Sequence, residues 1–482
     1  MTDTSWLEVD LYSLRRNMQV WRNVLRRPEG NETRPAAKLC AVVKADAYGL
    51  GSGELGRCLD QAGVDMLAVY SPGQADELLT HPITRPILIL MPVRTRPETV
   101  RLQNAFFNGQ LHLTVDSPDQ LMAVHAIGAS YGVEVPIHLS LDTGMSRGGL
   151  SPDQLTAILR RLPRLRHVRL AGIWSHFAAA DCDAAFTDEQ YSRFTQAIED
   201  NRKRIPKGVI LHMAATHAAL RHPKYHLNMV RIGLGMFGYG LPRWLTDAKA
   251  GIAPGSILPT MFDDDIDLTS TAHFDAFETV DGHERITAEA ARLSPVIRWR
   301  SRLIHVRKYA AGSTVGYGST VRLARDSFLG LVPVGYADGY PLSLSNKASV
   351  QIVPRSAGKN GKTDGTQPTI HAPILGRVNM DQIIIDLTAD TGRGERGASA
   401  INGSPMNPPM TAGAPLAQVG DLVDVISADA ASPCSLPRLA ALAQTSCYEM
   451  LCRINTRVPR LYLNSAPSPT LVARDRLKVA VS

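Results

Sequence analysis

The sequence predicts an α/β protein with an N-terminal (β/α)8 TIM-like barrel and a C-terminal mainly-β domain. Seven or eight short apolar runs alternate with helical stretches between residues 11 and 240, which is the pattern of parallel βαβ units. Their number and spacing favour a closed barrel over an open sheet. From residue 294 onward, short alternating apolar runs follow one another with few helical stretches, which indicates a mainly-β domain.

The bulk composition is that of a soluble globular protein with more than one domain. The chain has 482 residues, of which 44% are hydrophobic and 20% charged, enough apolar material for a large core. A chain of this length predicts two or three domains rather than one.

The charge distribution argues against nucleic acid as a partner. The formal net charge is +7, but the basic residues are dispersed and form no consecutive run interleaved with aromatic residues. A mild positive bias of this kind suits an anionic small-molecule substrate or a phosphate group.

The cysteines and the apolar runs indicate a cytoplasmic location. The six cysteines form no CxxC pair, which is typical of free thiols in a reducing compartment. The N-terminal residues lack a basic region followed by an apolar one, so no secretory signal is predicted. No apolar stretch approaches the ~20 residues of a membrane span, so we expect no membrane association.

The barrel region opens with a strand and a helix. Residues 1–10 read as an alternating strand, and an amphipathic helix follows. KLCAVVKADAYG reads as a buried strand that ends in a polar turn containing glycine. The later apolar runs are VDMLAVYS, RPILILMPV, QLHLTVDS, VPIHLSLDTGMSRGG, RLAGIWSHFAAAD, KGVILHMAAT and LNMVRIGLGMFGYG.

The rest of the chain divides by composition. Residues 241–293 have little periodicity and are interpreted as an insertion or lid, and residues 294–465 as the β domain, joined by the strand at 1–10. LPRLAALAQTSCYEMLCRI predicts one short helix before a last strand, RVPRLYL. The predicted exposed loops are 354–368 and 388–413, and residues 466–482 form a tail.

Lys44 is the first candidate for chemistry. A lysine at the carboxyl end of a buried strand is unusual, because burial disfavours the ammonium form and lowers the pKa of the amine. Such a lysine can act as a nucleophile or base, although the physical pattern alone equally allows a lysine that reaches out to solvent. Tyr48, four residues on, could reach the same cavity.

The segment AVVKADAYGLG closely resembles the lysine motif of bacterial alanine racemases. This resemblance implies that Lys44 carries pyridoxal 5'-phosphate covalently and that Tyr48 contacts the cofactor phosphate.

Further barrel segments resemble the same family. LDTGMSRGG implies that Arg147 binds the phenolic oxygen of the cofactor and contacts substrate, and WSHFAAAD implies that His176 stacks on the pyridine ring. HMAATHAA places Thr216 where a family serine binds phosphate. MVRIGLGMFG implies Arg231 at the ring nitrogen, with phosphate contacts from the backbone of Gly233 and Leu234.

The β-rich half resembles the family as well. STVGYGST implies that Tyr317 is the second catalytic base beside Lys44, and VPVGYADGYP implies that Tyr336 lines the entrance to the active site. GRVNMDQIIIDL implies that the backbone amide of Met380 meets the substrate carboxylate, with Asp381 beside it. SCYEMLCRINTRVPR implies that Tyr448 binds phosphate.

The resemblance as a whole implies a two-base racemase that interconverts L- and D-alanine and supplies D-alanine for peptidoglycan. A second base is needed on the opposite face of the substrate, and a tyrosine needs nearby positive charge or hydrogen-bond donors to serve as one. The resemblance also implies a homodimer in which Tyr317, Tyr336 and Met380 act on the partner copy's cofactor site.

The chain departs from the family pattern at several positions. Many family members have a carbamylated lysine that orients the phenol-binding arginine, and this chain has Ser140 there. We therefore expect another device, such as an acid or an anion, to position Arg147. Ala215 and Thr216 replace asparagine and serine, Ile232 replaces proline, and Phe237 replaces tyrosine.

Other readings remain open at this point. The first is a racemase of the same fold with broad specificity or another amino acid as substrate. The second is a fold-related decarboxylase, whose glycine-rich phosphate loop and cysteine motif are not evident here. The third is a pyridoxal-phosphate-binding carrier or regulatory paralogue without turnover, against which the β half and its Tyr317 argue.

Overall fold

The computed structural model describes residues 4–26, 36–239, 283–353, 370–389 and 414–464. These residues form two compact units. One comprises residues 13–239 with 283–296, and the other comprises residues 4–12 and the described residues from 297 onward. Most of the predicted insertion at 241–293 and of the predicted loop at 388–413, the whole predicted loop at 354–368 and the tail lie outside the described residues.

The first unit is the predicted barrel. It is preceded by β1 (Ser5–Asp10), which belongs to the second unit, and by the helix Leu11–Leu25, as the alternating and amphipathic patterns predict. Eight parallel strands then pair in the order β8-β7-β6-β5-β4-β3-β2-β9. They are β2 (Lys38–Val42), β3 (Met66–Val69), β4 (Ile87–Pro92), β5 (Leu111–Val115), β6 (Val135–Ser140), β7 (Val168–Trp174), β8 (Ile210–His212) and β9 (Met229–Ile232).

Helices follow the barrel strands, and three of them begin at serine caps. Ser71, Ser117 and Ser151 each accept a hydrogen bond from a backbone amide in the first helical turn, and each is followed by proline. The helices are Ser52–Gln61, Pro72–Leu78, Val100–Phe107, Pro118–Tyr131, Pro152–Arg161, Ala184–Asp200, Thr216–Arg221 and His283–Ala290. The (β/α)8 prediction is thereby confirmed.

One part of the barrel core is apolar. Side chains from β2, β3, β4 and β9 form one buried cluster made of Cys40, Val42, Met66, Ala68, Leu88 and Met229. Barrel interiors are ordinarily filled by such layers of side chains from successive strands.

Three hydrogen-bonded histidines form a polar row in the barrel between β5, β6 and β8. We call His112 on β5, His138 on β6 and His212 on β8 the histidine row. His112 Nδ1 lies 2.9 Å from His138 Nε2, and His138 Nδ1 lies 2.9 Å from His212 Nε2. All three rings are buried. Because a buried polar network is stable only when its members are paired, these contacts are what allow three imidazoles in this core.

The second unit is built of β-sheets. A six-stranded sheet has the order β16-β15-β18-β10-β1-β19, in which β1 pairs antiparallel with β10 and parallel with β19. The remaining strands form sheets β11-β14-β17 and β12-β13. The strands are β10 (Ile297–Arg302), β11 (His305–Tyr309), β12 (Thr314–Val315), β13 (Val321–Arg322), β14 (Ser327–Val332), β15 (Ser349–Val353), β16 (Ile370–Pro373), β17 (Ile383–Asp386), β18 (Leu422–Ile426) and β19 (Arg460–Leu463).

The prediction of a single helix after β18 is wrong, because the structure has two helices there, Leu436–Leu442 and Cys447–Arg453. Gln444 between them has a φ of 54°, which no right-handed helix accommodates. Ser446 then caps the second helix by accepting the Glu449 amide at 3.2 Å. Among the helices that the structure describes, none combines the length and the apolar character needed to cross a membrane.

The histidine row makes the stability of the barrel depend on pH. Burial lowers the pKa of His112 to about 4 and those of His138 and His212 well below the ordinary value of 6.5. Because the folded-state pKa values are depressed, the unfolded chain binds protons that the folded chain excludes. Stability is therefore fully present above pH about 6.5 and is lost as the pH falls towards about 4.

We predict that the free energy of unfolding falls by about 1 kcal/mol per pH unit for each such histidine over this range. Chemical denaturation at a series of pH values measures this slope. His112→Gln removes one titrating group and should give a shallower slope than the wild type, whereas equal slopes would contradict the prediction.

Candidate active site

Lys44 lies just beyond the end of β2 and begins an unusual turn. Ala45, Asp46, Ala47 and Tyr48 have φ values of 53°, 54°, 50° and 61°, so four successive residues without a glycine are left-handed. This conformation costs an L-residue roughly 1–2 kcal/mol. Such strain persists only where the surroundings enforce it, and it is often found at functional sites.

Hydrogen bonds within the segment hold this turn. The Ala47 amide donates to the Val43 carbonyl at 2.9 Å, and the Gly51 amide donates to the Asp46 carbonyl at 3.0 Å. The Asp46 carboxylate accepts the Ser52 amide at the start of the next helix. The turn leaves Lys44 half-buried at the carboxyl end of the barrel strands and sends Tyr48 into the interior, where it is 4% exposed.

Two hydroxyl groups converge on the segment that follows β9. A Cβ built on Gly233 would lie 2.3 Å from Tyr48 Oη, and one built on Gly235 would lie 2.8 Å from Thr216 Oγ1. Glycine at both positions is thus what lets these side chains approach the backbone around Leu234, which begins a short 3-10 turn.

Thr216 has a hydroxyl that lacks a partner. Its Oγ1 is buried and, among the described residues, makes no hydrogen bond. Leaving a buried hydroxyl unsatisfied costs about 1–3 kcal/mol, so such a group calls for a ligand or a water as partner. Because Tyr48 Oη and Thr216 Oγ1 both approach the segment at 233–235, this segment can offer hydroxyl donors to an anion such as phosphate.

Arg231 on β9 is held by the barrel through both of its terminal nitrogens. One donates to His212 Nδ1 at 2.7 Å and to the His212 carbonyl at 3.1 Å. The other donates to the carbonyls of Ser175 and Met213 at 2.7 and 2.9 Å. Within the described part of the chain, the hydrogen bonds of Arg231 use its terminal nitrogens and none uses Nε, so Nε can donate to a bound group.

The charge of Arg231 survives its burial. Burial lowers the pKa of its guanidinium to about 10, which still leaves it protonated at neutral pH. The guanidinium carbon lies 4.8 Å from the ring centre of Trp174, whose ring is also parallel to His212 within 9°. The aromatic face therefore supports the cation and the imidazole together.

His176 is the second imidazole bound to Arg231. The terminal nitrogen that faces the Ser175 and Met213 carbonyls also lies 3.0 Å from His176 Nδ1, so its two protons are shared among three acceptors. Burial, and then the positive charges of Arg231, Arg147 and Lys44, lower the pKa of His176 to about 3. His176 is therefore neutral, and because Nδ1 accepts from the guanidinium, its proton lies on Nε2. Because Arg231, Arg147 and Lys44 all act electrostatically on His176, the structure brings these four predicted site residues close together.

The loop that carries Arg147 is fixed by an aspartate. Asp142 Oδ1 accepts the backbone amides of Gly144, Met145 and Ser146 at 2.9, 3.0 and 3.1 Å. The Leu150 amide donates to the Ser140 carbonyl at 2.7 Å, closing the loop through backbone atoms. Arg147 itself is exposed. Asp142, which our sequence analysis did not single out, positions this loop.

In the β unit, the structure brings Tyr336 and Met380 together. The Tyr336 amide donates to the Asn379 carbonyl, and the Ala337 amide donates to the Met380 carbonyl, both at 3.0 Å. The guanidinium of Arg457 joins the same two loops by binding the carboxylates of Asp338 and Asp381 at 2.7 and 2.8 Å. Both candidate side chains remain exposed, at 45% and 54%.

The two other candidate tyrosines of the β unit lie on separate elements. Tyr317 lies in a short 3-10 turn between β12 and β13 and is 72% exposed. Gly316 and Gly318 flank it with φ values of 68° and 74°, a conformation that favours glycine. Tyr448 lies in the first turn of the helix Cys447–Arg453 and is 38% exposed.

Sequence reasoning missed the supports behind Arg231. His112, His138 and His212 are polar residues in three otherwise largely apolar strands, LHLTV, VPIHLS and ILH. Histidine inside three of the predicted barrel strands was the available signal, since inward positions of a barrel are normally apolar. Trp174 gave no signal beyond an ordinary core aromatic residue.

Comparison with known proteins extends these observations to the whole chain. The family model "Alanine racemase, N-terminal domain" matches residues 9–241, and "Alanine racemase, C-terminal domain" matches residues 296–462. Alanine racemase of Halothermothrix orenii is 29% identical over 465 residues, covering 96% of this chain and 98% of the relative. Alanine racemase of a Nostoc species is 30% identical over 460 residues, covering 95% of each chain.

Solved structures agree with the sequence relatives. Alanine racemase from D-cycloserine-producing Streptomyces lavendulae matches with a TM-score of 0.68 and 25% identity, covering 97% of this chain and 98% of that one. The Bartonella henselae alanine racemase with covalently bound pyridoxal phosphate matches with a TM-score of 0.66 at 20% identity, covering 96% of this chain and 100% of that one, a likeness of fold. With both family models matched in order along most of its length, the chain belongs to the alanine racemase family.

Proposed function

We propose that this racemase interconverts L- and D-alanine with pyridoxal 5'-phosphate as cofactor. The observation that carries the proposal is the donor set of the barrel unit. It comprises the unpartnered Thr216 hydroxyl, the Tyr48 hydroxyl against the same segment after β9, and the Nε of Arg231, which makes no hydrogen bond within the described residues. These groups suit a molecule with a phosphate at one end and an aromatic nitrogen acceptor at the other.

The residues of this chain fit that cofactor one by one. Tyr48, Thr216 and the backbone at Gly233 and Leu234 would hold the phosphate, with Tyr448 as a further ligand. Lys44 would bind the aldehyde carbon, Arg231 the ring nitrogen and Arg147 the phenolic oxygen, and His176 would stack on the ring. When bound, the cofactor supplies an electron sink for the electron pair left by the departing α-proton.

Two groups of the chain would move the proton. Lys44 Nζ would remove or return the α-proton on the face used by D-alanine, and Tyr317 Oη would do so on the face used by L-alanine. A tyrosine has an ordinary pKa near ~10 and needs positive charge or donors around it to act as a base. The neutral His176, bound to Arg231, can supply a donor through its Nε2 proton.

We infer further that Tyr317 serves the site of a partner copy. Tyr317, Tyr336 and Met380 are large side chains that the β unit leaves exposed, as expected of groups that complete another chain's site. The Met380 amide and Arg147 would bind the substrate carboxylate, and Tyr336 would line the approach. Supply of D-alanine for peptidoglycan is the cellular role that we propose.

The first prediction concerns substrate and stereochemistry. Purified protein with pyridoxal phosphate in heavy water should exchange the α-proton of L-alanine with inversion, well above L-serine and L-lysine. NMR of the α-proton and chiral chromatography measure the two quantities. Inversion on all three amino acids would contradict the alanine assignment, and cofactor binding without exchange would contradict catalysis.

The two-base assignment makes a sharper prediction for Tyr317→Phe. Loss of the phenol should reduce racemisation by ~10²–10⁴-fold, the usual contribution of a general base. Exchange of the D-alanine α-proton should persist, because Lys44 is intact, but without inversion. Equal loss of exchange and inversion with D-alanine would contradict separate roles for the two groups.

Thr216→Val tests the phosphate site without touching the reacting groups. The substitution keeps the shape and removes the hydroxyl, so affinity for pyridoxal phosphate should fall about 10-fold or more, the value of a hydrogen bond to a charged group. Titration of the apoprotein by fluorescence measures this. Thr216→Ser should retain the affinity, and pyridoxal, which lacks the phosphate, should bind wild type and Thr216→Val alike. A fall of the same size with pyridoxal would contradict the assignment.

A further inference from the structure

The histidine row continues the contacts of Arg231 away from the candidate site and across the barrel. Arg231 contacts His212, His212 contacts His138, and His138 contacts His112, with donor–acceptor distances of 2.7, 2.9 and 2.9 Å. The proposed chemistry uses the guanidinium at one end of this row. The three histidines themselves carry none of the roles assigned in the proposed chemistry.

The guanidinium fixes the direction of every hydrogen bond in the row. An arginine nitrogen can only donate, so His212 Nδ1 must accept and its proton must lie on Nε2. That proton is donated to His138 Nδ1, which places the His138 proton on Nε2. The same step repeats at His112, whose Nδ1 accepts. Three neutral imidazoles therefore share one tautomer, with every bond pointing away from Arg231.

Packing holds the middle ring in its place. A Cβ built on Gly172 of β7 would lie 2.3 Å from His138 Nδ1 and 2.6 Å from its Cε1. A side chain at 172 would thus displace the ring, and glycine is what admits it between β6 and β8. Trp174, two residues along the same strand, stacks on His212. Both imidazoles are confined by β7.

We infer that His138 is a positioning residue for the racemase reaction. By accepting the His212 Nε2 proton, it keeps His212 in the one tautomer that accepts from Arg231, and so aligns the guanidinium with Nε turned to the ring nitrogen of the cofactor. The inference rests on the proposed function, which puts that ring nitrogen opposite Arg231. His112 completes the row by accepting from His138.

A row of histidines that only satisfied polar groups in the core would behave differently. Its loss would lower stability and leave the cofactor site unchanged. A positioning role predicts an effect that depends on the ring nitrogen itself. The decisive probe is therefore the 1-deaza analogue of pyridoxal phosphate, in which a carbon replaces that nitrogen.

Three variants of the full chain separate these roles. His138→Leu removes the acceptor, and His138→Asn keeps an oxygen acceptor near the position of Nδ1. Gly172→Ala displaces the ring while every hydrogen-bonding group stays in the chain. Each apoprotein is titrated with pyridoxal phosphate and with its 1-deaza analogue, and each loaded enzyme is assayed for racemisation of alanine and for pyruvate, the transamination side product.

The wild type should prefer pyridoxal phosphate over the analogue by about 10-fold, the value of one hydrogen bond. His138→Leu and Gly172→Ala should lose most of this preference, lower kcat by ~10–100-fold with little change in KM for alanine, and raise the fraction of pyruvate. The kcat estimate is taken from the effect of removing supporting partners at metal sites. His138→Asn should recover most of each property.

Unchanged cofactor preference and pyruvate fraction in both disruptive variants would overturn the positioning role, whatever their stability. If His138→Leu does not fold, Gly172→Ala decides in the same way. A wild type that binds both cofactors equally, or neither, would instead overturn the proposed contact between Arg231 and the ring nitrogen, so the two failures are distinguishable.

Discussion

The attachment of Arg231 to the barrel is the constraint on which the rest of the site depends. A buried guanidinium is costly unless its donors are satisfied, and here backbone carbonyls and two imidazoles satisfy its terminal nitrogens. Because the guanidinium can only donate, both His212 and His176 are obliged to be neutral acceptors. One charge thus sets the protonation of groups on both of its sides.

The barrel also stores strain beside Lys44. The four left-handed residues after it, 45–48, oppose the intrinsic preference of L-residues, and hydrogen bonds to the flanking segments enforce them. This turn keeps Lys44 at the strand end while Tyr48 reaches back to Gly233. One short segment thereby fixes both the proposed cofactor lysine and the proposed phosphate ligand Tyr48, which a flexible glycine loop would not do.

Much of the fold and of the site could be predicted, and the exceptions have physical reasons. The barrel followed from the alternation of apolar strands and helices, and the candidate residues from local motifs. The left-handed turn could not be predicted, since its local preferences point the other way and tertiary contacts decide. The histidine row was missed because contact among His112, His138 and His212 depends on the register of strands far apart in the chain. The helix break at Gln444 carried no proline or glycine signal.

The central claim is that Lys44 is the residue at which this barrel holds pyridoxal phosphate. The most direct measurement is reduction of the loaded full-length protein with borohydride, followed by proteolysis and mass spectrometry of the labelled peptide. We expect one pyridoxyl group per chain, on Lys44 in AVVKADAYGLG. A label spread over several surface lysines, or no label in the presence of bound cofactor, would contradict it.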